Sequence, residues 1–349
     1  TGEMAGIHRK KRKSFLRRFI SFIMTLVIIG AVISAAGVLY ARDKLDNILH
    51  VELDESSLAA DNDISDYRNI VILGVDTRDM SNFSGSRTDS IIIVSINKTS
   101  GDIKLISVYR DSFLDIEGVG LDKVTHAFAY GGPERTINTL NRNLDLNITE
   151  FAALNFKTVA KVVDSVGGID IDIKDDEISQ MNTYLPETAR YLKSDFEYIT
   201  EAGEQHLDGV QAVTYSRIRH TEGGDYRRTE RMRTVLTAVF KEVKKMSFGE
   251  LNKMMDDVLP EVSSNIDSMD IIPLMLKMYK MDIKDSIGWP YDKEGYISPS
   301  QVWYAAPITL ESNVARLHED AFGQSGYVPS DRVREISGSI SYTTGYYGY

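Results

Sequence analysis

The chain has 349 residues, a formal net charge of −11 at pH 7 and no cysteine. That balance excludes nonspecific nucleic-acid binding, which needs a broad basic face. The absence of thiols excludes disulfides, cysteine nucleophiles and cysteine-ligated zinc.

Residues 19–41 contain no charged side chain, the length a helix needs to cross about 30 Å of hydrocarbon. Seven basic residues, from Arg9 to Arg18, stand in front of it. A cleaved signal peptide has a shorter apolar core, about 7 to 15 residues. Residues 1–18 therefore read as a cytoplasmic basic tail and 19–41 as a transmembrane signal anchor in the cell membrane, with the rest of the chain extracellular. Beyond residue 41 the chain carries 33 basic and 50 acidic side chains, a net of −17. A body of about 300 residues buries roughly 75 % of its unfolded surface and needs no covalent staples.

Residues 42–68, rich in acids such as Asp54, Glu55 and Asp63, read as a stalk. Three apolar runs then read as strands: Asn69–Val75, Ser90–Asn97 and Ile103–Tyr109, the last two joined by the hairpin-type turn Lys98–Asp102. Phe156–Val166 predicts a helix ended by Gly167 and Gly168, and Ile169–Ile173 alternates like a strand with one wet face. Leu207–Tyr215 predicts a short helix and Arg228–Met246 a long one, with Val235, Leu236, Val239, Phe240 and Val243 at helical spacing. Ile271–Met281 and Leu310–Phe322 predict further helices. Residues 69–322 form one domain, and 323–349, ending in the Gly- and Tyr-rich Ser339–Tyr349, read as a disordered tail. Strands interleaved with helices predict an α/β or α+β layered body. The hairpin makes its sheet mixed.

Polar clusters bound those strands. Asp76 and Arg78 lie where the first runs out, Arg87 and Asp89 stand before the second, and Arg110 and Asp111 follow the third. With strands two and three antiparallel, and strand one parallel to strand three, all three clusters meet at one edge of the sheet, where loops on a rigid scaffold build sites. Asp76 and Asp89 offer hard oxygen ligands of the kind Mg²⁺ takes together with phosphate oxygens.

Six arginines fall between Arg217 and Arg233: Arg217, Arg219, Arg227, Arg228, Arg231 and Arg233. Guanidinium forks match phosphate oxygens, so the cluster points to a strongly anionic ligand. On a helical wheel Arg228 lies near the centre of the apolar stripe and Glu230 opposite it. A core-facing charge needs an anionic partner or ligand. Arg217 and Arg219 share one face if Ser216–His220 is extended. Arg227 and Arg233 point outward as solvated charges, and Arg231 is intermediate. His126 reads as structural. Lys123 is better placed as a cation beside a phosphate.

The ordered motifs Ile70–Arg78, Arg87–Val94, Ser107–Asp111, His126–Gly132, Val163–Ile169, Tyr215–His220 and Asp225–Arg231 resemble the LytR-CpsA-Psr family from about Asn69 to Phe322. The resemblance implies a three-layer α/β/α domain with an apolar tunnel for lipid. It implies a Mg²⁺-dependent phosphotransferase, with Mn²⁺ as a substitute, that moves a glycopolymer (teichoic acid, capsule or similar) from a polyprenyl-pyrophosphate carrier to peptidoglycan. By motif match Asp76 and Asp89 bind metal, and Arg87, Arg110, Arg217, Arg219 and Arg228 bind pyrophosphate, with Lys123 and Arg231 as further ligand contacts. Asp111 is the candidate acceptor of the incoming hydroxyl's proton. Met232 departs from the glutamine many members carry. The alternatives are a lipid-pyrophosphate hydrolase and a non-catalytic membrane-anchored regulator. The glycopolymer itself is not specified by the residues.

Overall fold

The computed structural model describes residues 47–348 apart from 61, 220–223, 268–269, 271–273 and 275–276. The basic tail, the anchor, the start of the stalk and residues 271–273 and 275–276 of the helix expected at Ile271–Met281 lie outside the described residues, and the end of that expected helix is a 3-10 turn, Met278–Lys280. No helix among the described residues is long and apolar enough to cross a membrane.

In chain order the strands are β1 (Leu49–His50), β2 (Tyr67–Val75), β3 (Thr88–Asn97), β4 (Asp102–Val108), β5 (Phe113–Ile116), β6 (Gly120–Lys123), β7 (Glu150–Leu154), β8 (Ile169–Ile173), β9 (Gly203–Leu207), β10 (Ser263–Ser264), β11 (Asp282–Trp289), β12 (Lys293–Ile297) and β13 (Trp303–Pro307). The helices are α1 (Val124–Leu144), α2 (Phe156–Ser165), α3 (Asp175–Leu192), α4 (Gly209–Arg217), α5 (Gly224–Val243), α6 (Phe248–Val258), α7 (Leu310–Phe322) and α8 (Asp331–Thr344).

The central sheet has the order β1-β10-β7-β2-β3-β4-β11. β2 and β4 both run antiparallel to β3, and so parallel to each other, while β7 and β11 add parallel to β2 and β4. The sheet is mixed, as the hairpin required. The β3–β4 turn closes through Asn97: its carbonyl accepts from Gly101 N at 2.9 Å, and its side chain accepts from Thr99 and Ser100. Gly101 sits at φ +79, a conformation glycine takes without steric cost.

Alternation within the strands divides the core. Val71, Leu73, Ile91, Ile93 and Ile106 face α1, α7 and α8, whereas Ile70, Ile92, Ile96 and Leu105 face Met232, Leu236 and Phe240 of α5. Helices therefore cover both faces. A second cluster joins the β8–β9 ribbon to α2, α3, α4 and α5.

Three expectations are corrected. Residues 47–68 are not a free stalk: β1 pairs with β10, and Leu58 and Ile64 are buried in the main core. Between the two helices expected after residue 249 the chain is largely strand, because β11 extends the sheet and β12–β13 form a hairpin. Residues 339–348 are not a disordered tail. Helix α8 reaches Thr344, with Val333, Ile336 and Ile340 buried at helical spacing against the core.

Candidate active site

The antiparallel ladder brings the polar clusters together as expected. Gly74 pairs with Ser90 and Val75 with Thr88, which leaves Asp89 as the extra residue of a bulge. Bulges bend a strand and re-aim a side chain. Asp89 thus belongs to β3 rather than preceding it, and its carboxylate turns to where β2 and β4 end. One step beyond the ladder, Asp76 N donates to the Arg87 carbonyl at 3.1 Å, so the two candidate metal acids stand on neighbouring strand ends. A side chain at Gly74 would meet the Ser90 Cβ at 2.9 Å, so glycine allows β2 and β3 to close here.

Asp89 is the centre of a cationic cluster. Arg110 pairs with its Oδ1, Arg228 Nη1 lies 3.8 Å and Arg219 Nη2 3.9 Å from the same oxygen, and Arg228 Nη2 donates to the Asp89 carbonyl at 3.2 Å. Arg228 is 2 % exposed and also pairs with Asp225 at 3.0 Å. Burial lowers its pKa, with Asp225 opposing. The Nε atoms of Arg110 and Arg228 are buried without a hydrogen-bond partner. Buried polar atoms of this kind are uncommon in folded proteins, and two of them here belong to guanidinium groups that face Asp89. Beside the cluster, Lys123 Nζ holds the Asp111 Oδ1 at 2.8 Å, and the Asp111 carbonyl accepts from Ala305 N of β13.

The other expected residues lie at the rim or elsewhere. Arg87 and Asp76 are exposed. Arg217 ends α4 rather than lying on an extended segment. It binds Thr188 and Glu187, and its guanidinium stands 5.5 Å from the Phe156 ring. His220 lies outside the described residues. Arg231 is corrected: its Nε pairs with Glu177 at 2.8 Å, both side chains at most 3 % exposed, and Nη1 donates to the Ile218 carbonyl. It is a buried strut that fixes the turn carrying Arg219 rather than a ligand contact. Arg233 is corrected as well, for it is buried and donates to the Ile287 carbonyl of β11. Arg227 is exposed and paired with Glu230, as the wheel predicts. His126 bonds Asp122 at 2.9 Å, in keeping with a structural role.

Two contributors escaped the sequence reading. Asp225, three residues before Arg228, carries the ion-pair spacing of a helix, a signal that was present. Asn155 caps α2 and donates to the Thr77 carbonyl at 3.2 Å, which no pattern announces.

Under the cluster opens an apolar slot with about 820 Å³ of space, its open mouth included. Ile72 and Ile92 form its sheet wall, Val159 belongs to α2, and Leu236 and Val239 to α5; Asp89 stands at its mouth. Met232 adds apolar surface to this lining. The site thus joins an oily slot to a cationic head, the complement of an amphiphile with an anionic headgroup. No group of three or more acids or histidines suited to a metal occurs among the described residues. Asp76 and Asp89 offer two hard oxygen donors of the kind a hard cation takes alongside phosphate oxygens, with the Asp89 Oδ1 turned to guanidinium groups.

The sequence profile of the LytR_cpsA_psr family matches residues 38–289. A Bacillus subtilis protein named polyisoprenyl-teichoic acid–peptidoglycan teichoic acid transferase TagT is 26 % identical over 306 residues, covering 82 % of this chain and 91 % of the relative. A Bacillus cereus protein of the same description, TagU, is 30 % identical over 240 residues, with 67 % and 72 % covered. Among solved structures, protein gbs0355 from Streptococcus agalactiae superposes with a TM-score of 0.64 at 24 % identity, covering 76 % of this chain and 91 % of that one. A structure described as TagT bound to LIIa-WTA gives 0.56 at 23 % identity, covering 84 % and 94 %. Another, YwtF (TagT) with bound octaprenyl pyrophosphate, gives 0.52 at 22 % identity with the same coverage. At these identities the structural likeness establishes the fold.

Proposed function

The chain belongs to the LytR-CpsA-Psr family, and from that membership and the site's geometry we propose that it is a phosphotransferase moving a polyprenyl-pyrophosphate-linked glycopolymer onto peptidoglycan. The observation that carries this reading is the apolar cavity ending at Asp89 beneath Arg110, Arg219 and Arg228. The names of the TagT and TagU relatives support the substrate class. The uncharged run 19–41 would anchor the chain in the cell membrane with the domain on the outer face, where carrier lipid and peptidoglycan meet.

In this reading the prenyl chain enters the cavity and the pyrophosphate lies against the guanidinium groups. The peptidoglycan hydroxyl attacks the glycan-linked phosphorus. A new phosphodiester forms, the bridging P–O bond breaks, and polyprenyl phosphate leaves. Phosphoryl transfer of this kind needs positioning and charge neutralisation more than covalent help. Arg110 and Arg228, each with an Nε that has no hydrogen-bond partner, would stand nearest the head beside Asp89. Arg219, 3.9 Å from Asp89, and the more peripheral Arg217 and Arg87 would add positive charge around the non-bridging oxygens. Asp111, held by Lys123, accepts the hydroxyl's proton. Mg²⁺, or Mn²⁺ in its place, held by Asp76 and Asp89, would supply further neutralisation of the phosphate oxygens.

The test is reconstitution with lipid-pyrophosphate-linked glycan and peptidoglycan, comparing wild type with Asp89→Asn and Asp76→Asn. Attachment of phosphate-linked glycan to peptidoglycan is expected from wild type, and neither variant should retain it while both melt normally. Release of free glycan phosphate without attachment would instead identify a hydrolase. Full activity of both variants would overturn the metal assignment.

A further inference from the structure

The uncharged run ends at Ala41, and β1 begins at Leu49. The seven residues between them, even fully extended, span no more than about 25 Å. The pairing of β1 with β10, and of β10 with β7, sets Leu49 level with Ala153 and His50 level with Ala152. β7 runs parallel to β2, toward the end of the sheet where Asp76 stands. β1 therefore runs the opposite way, and the chain enters the domain from the site end. With 19–41 as the anchor, that end is tethered close to the bilayer.

The same end carries the two kinds of side chain that suit a lipid surface. The β12–β13 hairpin is joined to it, because β11 ends at Trp289, level with Val108, and Ala305 N donates to the Asp111 carbonyl at 2.9 Å. Ile297 and Trp303 pair across the hairpin next to its turn and are 59 % and 41 % exposed. A side chain at Gly295 would meet the Trp303 Nε1 at 2.7 Å, so the indole lies across the ribbon over that glycine. The Tyr346 hydroxyl donates to the Gly295 carbonyl, which sets Tyr347, 66 % exposed, close by. Tryptophan and tyrosine are the side chains that settle at the headgroup level of a membrane.

The sheet order puts β7 and β2 on one side of β3, with β4 and β11 on the other. Arg78 and Lys157 follow the site ends of β2 and β7, so they lie on the side away from the hairpin. With Arg190 and Lys193 at the end of α3 they line a groove whose one acid, Glu187, is engaged by Arg217 at 2.7 Å. All four cations are exposed, in a chain of net charge −11. Exposed Lys and Arg held near a bilayer are drawn to anionic headgroups. Aromatic ledge and basic groove thus flank Asp89 at one end of the domain.

We infer that this end rests on the bilayer surface, with Ile297, Trp303 and Tyr347 in the headgroup layer and the basic groove against anionic headgroups. This rests on the anchor reading above and adds the face of the domain that meets lipid. Docking in this way sets the mouth of the apolar slot at the membrane surface.

Trp289 is fully buried and Trp303 is not, so tryptophan emission reports on the hairpin. The full chain is reconstituted in phosphatidylcholine vesicles, with and without phosphatidylglycerol, that contain lipid brominated near the headgroup. With phosphatidylglycerol present, roughly half of the Trp303 emission should be quenched, given the depth of about 5 to 10 Å of an interfacial apolar face. Trp303→Phe, which keeps Trp289, should show no quenching. Arg190→Ala/Lys193→Ala, or added salt with wild type, should reduce it to the level in phosphatidylcholine alone. Ile297→Asp, an exposed change checked by its melt, should abolish it and open Trp303 to aqueous iodide. Quenching retained in Ile297→Asp and at high salt would come from the tether alone and overturn the inference. So would iodide access in vesicles equal to that in detergent. Soluble glycan strands that shielded Trp303 from iodide in detergent, with no quenching by lipid, would also overturn it and make the ledge a sugar site. The expected quenching in a chain that transfers no glycan would uphold the docking and count against the transferase, and full transfer with Trp303 unquenched would do the reverse.

Discussion

Asp89 presents one carboxylate to three guanidinium groups, and Arg228 is the most deeply buried of the three. A guanidinium keeps its charge even there, so its desolvation is an energetic cost that the phosphate of the proposed substrate would offset. Arg228→Ala should lower kcat/KM for glycopolymer transfer by about 2 to 4 kcal/mol, on the order of a hundredfold. Arg227→Ala, which removes an exposed charge paired with Glu230, should stay within about 0.5 kcal/mol of wild type. Equal losses in the two variants would refute the placement of Arg228. The position of Arg228 was legible from the sequence because helical periodicity fixes which side of α5 meets the sheet. Arg233 was not, because a helical wheel assumes water on the far side, and here the Ile287 carbonyl of β11 is waiting. Arg231 was hidden for a related reason, since its partner Glu177 lies on another helix and no spacing links them.

At the scale of elements, Glu177 ties two helices together. Its Oε2 accepts from Lys174 N at the start of α3, and its Oε1 receives Arg231 from α5. Removing one member of a buried pair strands the other charge, so Glu177→Ala should cost about 3 to 5 kcal/mol in urea unfolding. A loss below about 1 kcal/mol would show that the pair is not desolvated as the structure implies. The β8–β9 ribbon has a smaller fastening, His206 bonded to Asp170 directly across the ladder and to the Gly167 carbonyl. The Asp170 carboxylate, foremost, and then the Gly167 carbonyl hold the His206 pKa above its usual value. That contribution is therefore complete below the unfolded-state pKa of about 6.5 and is lost as pH rises through the elevated folded value. For so exposed a pair it is well under 1 kcal/mol. Urea midpoints of wild type should drop slightly from pH 6 to pH 9 relative to those of His206→Gln, and parallel curves would count against it. The strands β2, β3 and β4 were legible because they are buried on both faces and read as continuous apolar runs. The edge strand β11 was not: Asp282, Lys284 and Asp285 face solvent, a protection common at sheet edges that erases the apolar signal.

For the whole molecule, the two ends of the described chain complete the core of the domain between them. Residues 47–68 bring Leu58 and Ile64 into the main core, and α8 brings Val333, Ile336 and Ile340. Both flanks looked dispensable in the sequence, one because of its acids and the other because of its Gly, Ser and Tyr, since composition does not show three apolar residues on one helical face. Asp145 helps to dock the second flank, accepting from Ser330 N and Oγ and from the Tyr327 hydroxyl. Burying three aliphatic side chains contributes roughly 5 to 9 kcal/mol as an upper estimate, comparable to the stability of an entire domain. A chain ending at Phe322 should therefore show no cooperative melt by circular dichroism, and a midpoint within a few degrees of the full chain would contradict this. The apolar cavity has a kinetic consequence. In the proposed reaction, chemistry at the head of the carrier does nothing to its tail, so spent polyprenyl phosphate would remain lodged between α2, α5 and the sheet after the glycan has gone. Withdrawing it means returning an oily chain to the membrane, a step slower than bond making wherever release limits turnover. Rapid mixing should then reveal a stoichiometric burst of transferred glycan followed by a slower steady rate. Lipid vesicles able to take up the spent carrier should quicken that steady rate, while more acceptor should leave it unchanged.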